Sequence, residues 1–185
     1  MSSQERVCET CSVFAEALDY PTTSPAHLAK MCSSLLPDPR AASMMESFAA
    51  YCEGHSLEQL QEVYTRTFDL QPSCSPYLGH QLFGDSYRRG DFLARLKERY
   101  EETGLALGTE LPDHLTLVLR FIALSKGSAE AEELTRYCLL PALDRMVVPL
   151  LREGNPYAQP LQALALTMGP PCPTKGSVSA EVKAD

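Results

Sequence analysis

The segment 115–124 is apolar on nearly every side: Leu115, Leu117, Val118, Leu119, Phe121, Ile122 and Leu124 are interrupted by little more than Thr116 and Arg120. A helix without a polar face has to be surrounded, so this stretch predicts a central helix with other elements packed around it. It does not predict a membrane span. Spanning needs roughly 18–20 apolar residues, and Arg120, Pro141 and Arg145 cut the longest candidates. The surrounding elements are expected to be helices too, because leucine (27) and alanine (19) far outnumber valine (8) and isoleucine (1). The expectation is an all-α, single-domain globular bundle of about eight to ten helices.

Start and stop signals divide the chain. The first helix runs from about Gln4 to Asp19 with Val7, Cys11, Phe14 and Leu18 on one face, and Pro21 ends it. Ser24-Pro25 opens a second that buries Leu28, Met31, Cys32 and Leu35, and Asp38-Pro39 opens a third with Met45, Phe48, Ala49 and Cys52, closed by Gly54. Ser56 and Gln59 form a capping-box pattern for a fourth, which carries Leu57, Leu60, Tyr64 and Phe68 to about Asp69. Short and long helices follow over 77–83 and 86–103, broken at Gly84. Pro112 is expected at the start of the central helix, with Asp113 against its positive dipole end. Another helix follows Gly127-Ser128 and runs to about Leu140, Pro141 opens or kinks the next, Pro149 bends it, and Asn155-Pro156 starts the last. The folded domain is expected over residues 1–168. The tail, 169–185, has too few apolar residues to fold.

The formal net charge of −8 argues against a nucleic-acid footprint and favours a basic partner. Met1-Ser-Ser-Gln-Glu-Arg6 has neither a basic n-region nor an apolar h-region, so the expected location is the cytoplasm. Seven scattered cysteines then read as reduced thiols. Cys8 and Cys11 form a Cys-x-x-Cys, but without a second ligand pair or a preceding strand they read as core or edge thiols. His27, His55, His80 and His114 are widely separated, and no phosphate loop or nucleophile elbow is present. Asp69, His80, Asp113 and His114 remain a set that could converge as a metal or acid–base site.

Polar and glycine residues interrupt the apolar pattern at helix ends in three blocks. They are Tyr64-x-x-x-Phe68-Asp69; His80 with Gly84-Asp85 and Arg88-Arg89-Gly90, leading to Leu93, Leu96, Tyr100 and Gly104; and Glu110-Leu-Pro112-Asp113-His114-Leu115. With Tyr20-Pro21, their order and spacing resemble the TorD/DmsD/NarJ family of chaperones for molybdenum oxidoreductases, in its nitrate reductase delta-subunit branch.

The resemblance implies a helical protein without catalytic activity or a cofactor of its own. It would act as a monomer or weak dimer that binds the apo catalytic subunit of a molybdenum oxidoreductase, through that subunit's N-terminal peptide. It would assist cofactor insertion before membrane attachment or export, without inserting into the membrane itself. Carried over by position, Tyr64, Phe68, Asp69, His80, Asp85, Arg88, Glu110, Pro112, Asp113 and His114 become the client-binding candidates. An amphipathic, basic client peptide would place its apolar side in a groove and its charges against an acidic rim, for which Asp69, Asp85, Glu110 and Asp113 are the candidates. Arg120 stands where nitrate-reductase members commonly carry glutamate, which widens the client class to related molybdenum enzymes. Two other readings stay open, a general helical adaptor and a metal-dependent enzyme.

Overall fold

The computed structural model describes residues 3–169, and apart from Gly169 the tail lies outside them. The helices are α1 (Ser3–Ala17), α2 (Ala26–Leu35), α3 (Pro39–Glu53), α4 (Leu57–Tyr64), α5 (Leu78–Phe83), α6 (Tyr87–Thr103), α7 (Leu115–Leu124), α8 (Ala129–Leu134), α9 (Leu140–Glu153) and α10 (Ala158–Met168). The start signals act as their chemistry requires. Asp38 accepts the Arg40 N–H at 2.8 Å with Pro39 in the first turn, and Ser56 and Gln59 close their capping box. Gly84 and Gly104 end α5 and α6 in conformations with φ of 58° and 73°, which side chains disfavour.

Two local expectations are corrected, the start of the central helix and the burial of Val7 and Met31. The central helix starts at Leu115 with His114 as its cap, so Pro112 and Asp113 lie ahead of it. Pro141 stands in the first turn of α9, where a helix-opening proline belongs. A π-helical turn, Thr135–Leu139, joins α8 to α9 without a break, and α9 continues through Pro149. Val7 and Met31 are each 38% exposed, because both stand at the edges of their helix faces.

The core joins every helix. α7 buries Leu115, Leu117, Val118, Leu119, Phe121 and Ile122, and packs along α1. α1 also meets α2, α2 meets α3, α3 meets α10 and α10 meets α9, so the apolar faces close on one another in a continuous circuit. Phe14, Phe48, Met45, Tyr100, Leu143 and Leu161 are fully buried, each contributing roughly 1.5–3 kcal/mol relative to exposure. α6 stands at the periphery, with only Leu96 and Tyr100 fully buried. Among the described residues no helix is long and apolar enough to cross a membrane.

Candidate functional site

The starts of α5 and α7 are tied together. Leu78, the first residue of α5, donates its N–H to the Asp113 carbonyl at 2.8 Å, and Leu115, the first of α7, donates to the Pro76 carbonyl at 2.8 Å. These bonds pair Tyr77 with His114 in an isolated antiparallel bridge. Helix-start N–H groups lack partners within their own helix, and here each helix entry supplies the other's acceptor.

Side chains from α6 complete the junction. Asp113 is wholly buried, and Arg89 Nε donates to its Oδ2 at 3.1 Å. Removing one member of such a buried pair costs about 3–5 kcal/mol. Gly79 makes room for the carboxylate, since a Cβ there would stand 2.6 Å from Asp113 Oδ2. Asp113 Oδ1 has no donor among the described residues. Tyr100 donates its hydroxyl to the Pro112 carbonyl at 2.8 Å, and Tyr77 donates to Glu110 Oε2 at 2.8 Å. The Arg89 guanidinium lies 5.7 Å from the Tyr77 ring centre, and that ring meets His114 edge-on at 5.2 Å. Burial, helped by the bond to Glu110, pushes the Tyr77 hydroxyl up to about 12. Burial also lowers the pKa of His114, although Glu110, Asp19 and Asp113 act the other way.

Beside this junction lies an aromatic wall. Tyr64 packs on Phe68 at 4.8 Å and edge-on against Tyr20 at 5.4 Å, and Tyr157 closes the cluster against Phe68 at 4.9 Å. Next to it, Tyr20, Gln61, Glu62, Thr65, Arg66 and Leu70 line an open cleft of about 390 Å³. Gln61 fixes the α1–α2 connection by donating to the Pro21 carbonyl at 2.9 Å. Apolar surface is available here, with Tyr20 45% and Leu70 70% exposed. Acidic groups gather round it. Burial, followed by the fields of Asp19, Tyr157, Asp69 and Glu110, raises the pKa of the Tyr64 hydroxyl. Glu110 and Asp69 also act on Tyr77. Arg120 offsets part of this charge by reaching Asp19 at 2.7 Å.

The expected site residues therefore fall into separate roles. Asp69 and Glu110 are exposed and flank the aromatic wall, whereas Tyr64 and Phe68 are buried within it. His80 and Asp85 face each other at 3.8 Å at the α5–α6 corner, and Arg88 is exposed beside them in sequence. Pro112 is half-buried and supplies only its carbonyl. The expectation that Asp113 stands on an acidic rim is corrected, because its carboxylate is enclosed by Arg89 and Gly79. Asp69, His80, Asp113 and His114 do not converge. His80 turns to Asp85, Asp113 to Arg89 and His114 to Thr116, and no three His, Cys, Asp or Glu among the described residues are grouped to hold a metal ion.

Tyr77, Gly79 and Arg89 are not among the expected site residues, although Arg89 stands in the second block beside Arg88. Arg89 carried a usable signal, since it falls in helical phase with Phe92, Leu96 and Tyr100, the inward face of α6. Cys8 is half-buried and Cys11 fully buried, with its thiol 3.6 Å from Met168 Sδ; burial pushes the Cys11 pKa up to about 12. An inert, packed thiol has that profile.

A family model described as "Nitrate reductase delta subunit" matches residues 36–150, more than half of the chain. The chain is 32% identical over 111 residues to the probable nitrate reductase molybdenum cofactor assembly chaperone NarJ of Bacillus subtilis, covering 60% of this chain and 59% of that protein. It is 37% identical over 99 residues to the NarJ chaperone of Escherichia coli K12, covering 53% of this chain and 41% of that one. The matches thus span about half the length of these curated relatives. In structure, the chain is similar to a protein of Archaeoglobus fulgidus described as a candidate redox enzyme maturation protein, with a TM-score of 0.61 and 21% identity over 90% of this chain and 93% of that one. That likeness shows a shared fold.

Proposed function

The chain belongs to the nitrate reductase delta subunit family, and on that premise we propose that it is a non-catalytic assembly chaperone. Its client is the apo catalytic subunit of a molybdenum oxidoreductase, nitrate reductase-like or related. The chaperone binds the N-terminal peptide of that subunit in the cytoplasm and keeps it competent for cofactor insertion before membrane attachment or export.

The observation that carries this reading is the pairing of an open, aromatic-edged cleft with the nearby carboxylates of Asp69 and Glu110. A cleft of this size takes a few side chains of an amphipathic helix, and flanking carboxylates suit its lysines and arginines. Arg120 reduces the negative charge at the Asp19 edge.

The test is recovery of the tagged protein from its host grown under anaerobic respiration. The expected co-purifying protein is a cofactor-free molybdenum subunit. Absence of that subunit from the eluate while it is expressed, with unrelated proteins in its place, would favour a general helical adaptor instead. A synthetic peptide of the subunit's N-terminal segment should bind the Asp69→Asn/Glu110→Gln variant on the order of tenfold more weakly, with a shallower salt dependence. Equal affinity would remove these two carboxylates from the site.

A further inference from the structure

We propose that Arg89 and Tyr100 are positioning residues, which set where Glu110 and Tyr77 stand at the edge of the client groove; the proposal rests on the chaperone reading of that groove. The segment from Glu110 to His114 is exposed at one end and buried at the other, and it is held by side chains from outside it. Tyr100 holds the Pro112 carbonyl at 2.8 Å and Arg89 holds Asp113 at 3.1 Å. Both come from the inward face of α6, which spans Tyr87–Thr103. The third tie, from Tyr77 to Glu110, depends on the other two, because the Tyr77 ring lies under the Arg89 guanidinium and its backbone is paired to the Asp113–Leu115 segment.

The geometry asks for arginine specifically. Its Nε makes the bond to Asp113 while the rest of the guanidinium plane covers the Tyr77 ring. A lysine ammonium is a single point charge on a flexible stem and can meet one of these demands at a time. The Asp113 carboxylate, enclosed on the Gly79 side, cannot move to follow it. A change in α6 is therefore transmitted to Glu110, which α6 does not touch through either of these bonds.

The experiment places 3-fluorotyrosine at position 77 of the full chain and reads its fluorine resonance together with the affinity for the client-derived peptide. Arg89→Lys should shift the resonance toward its position in Glu110→Gln, and should weaken the peptide about threefold in the native background while having little effect in the Glu110→Gln background. Arg95→Lys, at an exposed position of the same helix, should leave both readouts unchanged. Tyr100→Phe removes the second tie without touching the ion pair, and should shift the resonance even if Arg89→Lys folds poorly. A resonance unmoved by Arg89→Lys and Tyr100→Phe overturns the proposal, as does an affinity loss that adds fully to that of Glu110→Gln. A shifted resonance with unchanged peptide affinity upholds the positioning and removes Glu110 from the client site, so the two ideas fail separately.

Discussion

His114 Nδ1 lies 3.4 Å from the Thr116 N–H and 2.8 Å from the Thr116 hydroxyl, so capping α7 requires a lone pair at that nitrogen and not a proton. Burial lowers the pKa from its ordinary value of 6.5 in the same direction. With the folded value below the unfolded one, the unfolded chain takes up more protons as pH falls. The stability is then complete above about pH 6.5 and is lost as pH drops toward the lower folded value. The urea midpoint should decline as pH falls below about 6.5, and His114→Asn, which keeps a capping oxygen without the titration, should flatten that decline. An unchanged slope would show that another group governs it. Pro112 and Asp113 carry the commoner helix-start signals. The cap went to His114 because Asp113 is drawn inward by Arg89, a residue from another helix.

At the scale of elements, two π-helical turns, Thr65–Asp69 after α4 and Thr135–Leu139 before α9, each have a threonine hydroxyl bonded to a carbonyl four residues back. Thr67 donates to Val63 at 2.7 Å and Thr135 to Ala131 at 2.8 Å. In the first turn, Thr67 also accepts from Asn155 Nδ2 at 2.7 Å, which fastens the end of α4 to the start of α10. The widened turn lets Tyr64, Thr67 and Phe68 all point inward while Asp69 stays exposed. Thr67→Val should cost about 1–3 kcal/mol, because it leaves the Asn155 amide without its acceptor, and a urea titration should show a lower midpoint at constant slope. No change would mean that Asn155 finds another acceptor. The second π turn leads without a break into α9, whose first turn holds Pro141.

For the whole molecule, the net charge of −8 acts at long range on a basic client. Raising the ionic strength from about 0.01 M to 0.15 M shortens the screening length from about 30 Å to 8 Å, so the association rate of the peptide should fall several-fold while its dissociation rate changes little. A flat association rate in stopped-flow measurements would end the steering argument. The chain by itself determined the helical class, most of the helix starts and stops, and the enclosed position of α7, because caps and apolar spacing act within one or two turns of their own residues. Only the tertiary structure decided that Asp19, Asp69 and Glu110, from three distant segments, act on one aromatic wall. It also decided that Asp113 is sealed in while Glu110 remains outside, three residues away. That choice depends on the space left by Gly79 and the charge brought by Arg89, and no local pattern around Asp113 encodes either.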